Sequence, residues 1–389
     1  MNIANATPDW PLPAGLRSRT VTGINGLDMH VLEAGEPGRP LLLLLHGFPE
    51  LAYSWRKVMG PLAEAGYHVV APDQRGYGRT KGWRDAYDIE LRDFGMLNLA
   101  RDALGLVHAL GHSQVAAVIG HDFGAPVAAW CALLRPDVFR ALVMMSAPFG
   151  GPPPLPGAAP QTDLHAALAA LQPPRKHYQH YYSGRAANAD MLQAPQGLAA
   201  FLRAYYHCKS ADHAANQPFA LAGTGAESFA QLPRYYVMDL HQGMAETAAS
   251  MAPTPEDAAA CSWLRDDDLA VYADEFGRTG FQGGLNWYRC SSDAACIAQL
   301  QLFAGRTIDV PACYLAGAAD WGMHQKPGEM QRMQRQACAK FLGQHVIAGA
   351  GHWVQQEQPQ DSVRVLIDFL QHAADSSPVA ARGSGGNSD

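Results

Sequence analysis

Basic residues are scarce: 29 lysines and arginines stand against 36 aspartates and glutamates, a formal net charge of −7. That balance leaves no basic stripe for phosphates, which argues against nucleic acid and against an anionic membrane surface as partners. Paired cysteines are lacking too. The seven present (Cys131, Cys208, Cys261, Cys290, Cys296, Cys313 and Cys338) are scattered, odd in number and without a C-x-x-C pair. Neither a zinc cluster nor a full disulfide framework is expected, and a reducing, cytoplasmic compartment fits. No apolar run approaches the ~20 residues of a membrane span, and the opening MNIANATPDWPLPAGLRSRT has no signal-peptide core. The last absence is a serine. In AAVIGHDFGAPVAAW the frame Gly-x-nucleophile-x-Gly carries Asp122 at its centre, where serine hydrolases with this turn carry Ser.

What is present is 389 residues with ordinary apolar content, 48%, enough for one large domain with an insertion or for two domains. The first half alternates short apolar runs with amphipathic stretches, the pattern of βα units and a mostly parallel sheet. GLDMHVLEAG reads as a period-two edge strand, and Leu41–Leu45, His68–Ala71, Val115–Ile119 and Ala141–Met145 read as buried parallel strands. Asp93–Gly111 reads as the best helix. FGGPPPLPGAAPQ is then a hinge, followed by an aromatic, polar stretch with helical and no strand-like periodicity. Strand signals resume in VPACYLAGAAD and QHVIAGAGH, and QDSVRVLIDFLQHA supplies a final helix. The expected organisation is an α/β core over 1–148 and 291–373, flanked by helices and interrupted by a helical cap over 149–290. A disordered tail over 374–389 follows from its composition.

Ligand sites of open parallel sheets lie at the carboxyl ends of strands. Asp122, Asp320 and His352 fall there, in the chain order nucleophile, acid, base of an α/β-hydrolase. Alone, each Asp would read as a helix cap and the His as incidental; the order makes them a set. His46-Gly47-Phe48-Pro49 follows the most apolar strand. In hydrolases of this fold the backbone N–H groups at the places of Phe48 and Phe123 form an oxyanion hole.

HGFPELAYSWR, DQRGYGRT, GHDFGAPVAAW, AGAAD and GHWVQQEQP together resemble the epoxide hydrolase branch of the α/β-hydrolases, over about residues 26–372. KHYQHYYSG and FQGGLNWYR resemble the two cap segments that carry that branch's paired tyrosines, which places them at Tyr178 and Tyr288. The resemblance implies a small apolar epoxide as substrate and neither metal nor cofactor. His177 and His180, at i, i+3, lack a carboxylate motif to complete a metal set. His46, Pro49, Trp55, Trp287, Trp321 and Trp353, with Phe48 and Phe123, are expected around an apolar pocket. A homo-oligomer stays open.

The chemistry explains the missing serine. A serine attacking an epoxide carbon gives an ether, a dead end; a carboxylate gives an ester that water can cleave. Two other readings compete. Haloalkane dehalogenases share the Asp, His and Asp but typically place Trp where this chain has Phe123, and fluoroacetate dehalogenases resemble Asp-Arg-Gly-x-Arg there. A non-catalytic ligand-binding protein of this fold is the third, since fold alone does not establish activity.

Overall fold

The computed structural model describes residues 9–157 and 163–375, so residues 158–162 of the hinge and the tail beyond Asp375 lie outside the described residues. Among the described residues ten strands form two sheets. The large one has the order β1-β2-β4-β3-β5-β6-β9-β10, where β1 is Arg17–Ile24, β2 Leu27–Ala34, β3 Leu41–Leu45, β4 His68–Pro72, β5 Ala117–His121, β6 Leu142–Met145, β9 Ile308–Gly317 and β10 Cys338–Ile347. In this sheet β1 with β2 and β2 with β4 are antiparallel, and its other pairings are parallel.

The central strands are buried along their whole length; each of the five leucines of β3 is at most 1% exposed. That is why they read as continuous apolar runs: helices cover a parallel sheet on both faces. Helix α1 (Arg56–Glu64) packs with the C-terminal helix Pro359–Asp375, and α2 (Met96–Ala109) packs with α3 (Gly124–Leu134). This is an α/β-hydrolase fold, a mostly parallel central sheet with flanking helices.

Several boundaries differ from the sequence reading, each for a physical reason. The segment read as an edge strand is β2, which is almost wholly buried; the edge is β1, RSRTVTGI, whose mostly exposed residues carry little apolar signal. The strand expected over Val115–Ile119 begins at Ala117, with Val115 making only an isolated bridge to Phe139. The helix expected from Asp93 starts at Met96, after a 3-10 turn over Leu91–Phe94.

Between β6 and β9 the chain is mainly helical, but it also contains an antiparallel ribbon of β7 (Arg175–His177) and β8 (Val237–Asp239), three residues each. Strands that short show no period-two pattern, so the expected absence of strands there is corrected. This segment is tied to the sheet's loops: the Trp287 indole donates to the Arg75 carbonyl (3.0 Å) and the Tyr206 hydroxyl to the Pro49 carbonyl (2.5 Å). Among the described residues no helix is long and apolar enough to cross a membrane.

Candidate active site

The site is built at the carboxyl ends of β3, β5, β9 and β10, which are followed by Phe48, Asp122, Asp320 and His352. β5 runs straight into Asp122, whose φ of +51° lies in the left-handed region that residues with a Cβ rarely adopt. Such a conformation costs on the order of 1–3 kcal/mol and persists only where packing over-determines it. Two glycines supply that packing. A Cβ on Gly120 would lie 2.1 Å from the Gly124 carbonyl oxygen, and one on Gly124 would lie 2.2 Å from that of Leu45. The elbow closes only because both positions lack a side chain.

Asp122 Oδ1 accepts a hydrogen bond from the Phe48 amide at 2.9 Å, and Oδ2 faces His352 Nε2 at 3.2 Å. His352 Nδ1 lies 3.1 Å from Asp320 Oδ1, which also accepts from the Gly322 amide at 2.7 Å. The Asp122 side chain keeps 13% of its surface exposed, against 1% for both His352 and Asp320. Of the three, the carboxylate at the elbow is the one a ligand can reach.

Burial disfavours the charge on Asp122, but the hydrogen bond and charge of His352, aided by Lys209 and His121, outweigh it and hold the carboxyl well below the usual range. Burial likewise opposes ionised Asp320, and His352 again outweighs it. His352 is pulled both ways: burial and the Lys209 cation lower its basicity, while Asp320 and Asp122 raise it, with a net upward shift.

The aromatic wall comes from the segment between β6 and β9. Tyr178 opens a helix immediately after β7, and Tyr288 lies on the helix Gln282–Ser292; their rings are 6.0 Å apart. The Tyr178 hydroxyl donates to Gln325 Oε1 (3.2 Å) and accepts from Gln179 (3.1 Å). The Tyr288 ring stands edge-on to Phe123 at 4.9 Å and to Phe48 at 5.4 Å. Burial, then the negative charge of Asp122, raise both phenols well above the ordinary tyrosine value, so both stay protonated.

The expected pocket residues separate. Trp287 packs on Phe123 at 5.4 Å and Trp353 on His352 at 4.7 Å. The Phe48–Pro49 peptide is cis. His46 is fully buried beneath the loop, its Nδ1 bonded to the Gly47 carbonyl and its ring against Tyr77. Trp55 is completely buried and Trp321 packs on Phe219; neither joins the ring contacts around Asp122.

Residues that sequence reasoning did not assign hold the set in place. The fully buried Glu50 lies 2.6 Å from His121 Nδ1, whose Nε2 donates to the His352 carbonyl at 2.7 Å. Glu357 accepts from the amides of Gly351 (2.8 Å), Trp353 (2.9 Å) and Ala211 (2.8 Å), bracing both neighbours of His352. Tyr182 lies among Phe48, Tyr178 and Tyr288 at 5.0–5.5 Å. The Phe-Pro-Glu run and the Glu of GHWVQQEQP were visible as motif letters, but their partners are supplied by the fold.

Residues 40–359 match the model of the alpha/beta hydrolase fold family. The chain is 33% identical to epoxide hydrolase A of Mycobacterium tuberculosis over 361 residues, covering 92% of this chain and 98% of the relative. It is 30% identical to an epoxide hydrolase of Caballeronia sordidicola, covering 89% of this chain and 92% of the relative. Among solved structures, an epoxide hydrolase from an endophytic Streptomyces superimposes with a TM-score of 0.75 at 29% identity, covering 94% of this chain and 98% of that one. The chain belongs to the α/β-hydrolase family and, within it, to the epoxide hydrolases.

Proposed function

We propose that this enzyme converts an epoxide and water to a vicinal diol through an ester on Asp122. In the first step Asp122 Oδ2 attacks an epoxide carbon, the carbon–oxygen bond breaks, and Tyr178 and Tyr288 hydrogen-bond the departing oxygen, one of them giving it a proton. Such acid assistance is worth on the order of 10²–10⁴ in rate. In the second step His352 takes a proton from water as it adds to the Asp122 carbonyl carbon, and Asp320 steadies the imidazolium. The Phe48 and Phe123 amides hold the oxyanion. Collapse breaks the ester carbon–oxygen bond, the leaving alkoxide takes the proton held on His352 to complete the diol, and the second water proton, left on the Asp122 carboxyl, makes good the one the tyrosine lost. The balance needs only epoxide and water.

One observation carries this reading: an ionised carboxylate occupies the elbow, with one oxygen on the Phe48 amide and the other toward His352. A dehalogenase would need an indole N–H free to hold a departing halide. The two indoles that pack on Phe123 and His352 are committed elsewhere: Trp287 donates to the Arg75 carbonyl and Trp353 to that of Tyr206 (2.8 Å), while the indoles of Trp55 and Trp321, unpartnered among the described residues, join none of the ring contacts around Asp122.

The test is diol formation across small aliphatic, styrene-type and bulky epoxides, with alkyl halides and aryl esters as controls. The reading requires turnover of at least one epoxide class and loss of that turnover in Asp122→Asn. Halide release without diol would assign a dehalogenase, and no turnover on any arm would leave a binding protein.

A further inference from the structure

Lys209 closes the helix Leu198–Lys209 and is 3% exposed. Among the described residues it forms no ion pair or hydrogen bond through its ammonium. Its Nζ is surrounded instead by aromatic rings, 5.3 Å from the centroid of Tyr205, 5.9 Å from Tyr235, 5.2 Å from Tyr236 and 5.4 Å from Trp353. Burying a cation outside any ion pair is costly, and burial lowers the Lys209 ammonium below the ordinary lysine value; the ring faces and the longer-range charges of Asp122, Asp320 and Glu50 recover only part of that cost. A core built for stability alone would hold an apolar side chain here.

The cage stands directly behind the reacting groups. Trp353 packs on the His352 ring, and the His352 amide donates to the Lys209 carbonyl at 2.9 Å. Tyr236 packs on Tyr178 at 5.2 Å, and the Tyr205 hydroxyl bonds that of Tyr182 at 3.1 Å, which in turn touches Tyr288. Lys209 therefore lies one side chain out from the base and from Tyr178, and two out from Tyr288.

We propose that Lys209 is a positioning residue for the ester-hydrolysis half of the reaction, a fixed cation that keeps His352 available as a neutral base and supports the oxyanion on Asp122. This rests on the two-step reading above. The charged and titratable groups acting on this region are Asp122, Asp320 and Lys209 around His352, His121 at 5.1 Å from its ring, Glu50 through His121, and Cys208 beside Lys209; Asp122, Asp320, Cys208 and Glu50 also favour the charged form of Lys209. Lys209 and burial lower the basicity of His352; Asp320 and Asp122 raise it. Alkylation turns Asp122 into a neutral ester and removes one of the raising groups. Lys209 then weighs more, so the imidazole enters the second step unprotonated. As water adds, negative charge returns to the Asp122 oxygens, and the cation, which faces little competing water, stabilises it.

The experiment is single-turnover kinetics of Lys209→Met, which keeps the apolar stem and removes the charge, with rapid-quench measurement of ester formation and ester decay across pH. Decay should slow at neutral pH by on the order of tenfold, with its midpoint about one pH unit higher, the effect of a like charge removed from beside the imidazole. Ester formation should change by less than about threefold, since the carboxylate needs no base. Melting temperature should hold or rise. A purely structural lysine would instead slow both steps together, lower the melting temperature and leave the midpoint in place. Should the Met variant fail to fold, Lys209→Gln gives the same readout. Absence of any ester in the wild-type enzyme would overturn the two-step reading. Wild-type ester with unchanged decay and midpoint in the variant would overturn the role of Lys209 alone.

Discussion

At the scale of single residues, division of labour between two steps makes the pH dependence informative. Asp122 is ionised far below neutrality, because His352 outweighs the cost of burying it, so ester formation should be flat from mildly acidic to neutral pH. His352 is shifted upward in the resting enzyme, loses the part due to Asp122 once the ester forms, and in the proposed second step works only as the neutral imidazole, so ester decay should fall as pH drops through the pKa it has in the ester form. Pre-steady-state traces in mild acid should therefore show a burst of ester formation followed by slow turnover. Equal acid sensitivity in both steps would contradict the assignment. Tyr178→Phe and Tyr288→Phe should each slow ring opening by about tenfold or more, and the double variant should nearly abolish it with the circular dichroism spectrum unchanged. A double variant with wild-type ring opening would move the acid elsewhere.

At the scale of elements, the elbow and the base loop each depend on a close contact. Gly124→Ala would drive a methyl into the Leu45 carbonyl; a loss of about 1–3 kcal/mol in denaturant unfolding is expected, as for other overpacked sites. Glu357 is pushed up to about 7 by burial, which outweighs its three amide donors. Its folded pKa thus exceeds the unfolded value, so stability is fullest below about pH 4.5 and declines as pH rises toward 7. Glu357→Gln should flatten that decline, and because an NH₂ group would then face a backbone N–H, it should also lower overall stability by about 1–3 kcal/mol. A pH slope unchanged in the variant would place the titration on another group.

The same scale explains what the sequence disclosed. The buried strands were legible because both faces are covered, and Asp122, Asp320 and His352 because each sits in a small-residue turn at a strand's end. β1 was not, since its edge position leaves it polar, and β7 and β8 were too short to show a period. Tyr182, His121 and Lys209 stayed hidden because their surroundings join residues far apart in the chain: Lys209 meets Trp353 only once the fold is closed.

At the scale of the whole molecule, a net charge of −7 and an aromatic segment lying over the sheet's loops fit the uncharged epoxide substrate proposed above. The central claim is that Asp122, and not water, opens the ring. It is tested most directly by one turnover in heavy-oxygen water with wild-type enzyme in excess over epoxide. Water attacks the ester's carbonyl carbon and leaves the alkyl–oxygen bond intact, so the first-turnover diol should carry an unlabelled oxygen from Asp122, and the label should appear on Asp122 in peptide mapping. A first-turnover diol labelled from solvent, with Asp122 unlabelled, would mean that water attacks the epoxide itself and that the carboxylate is only a base.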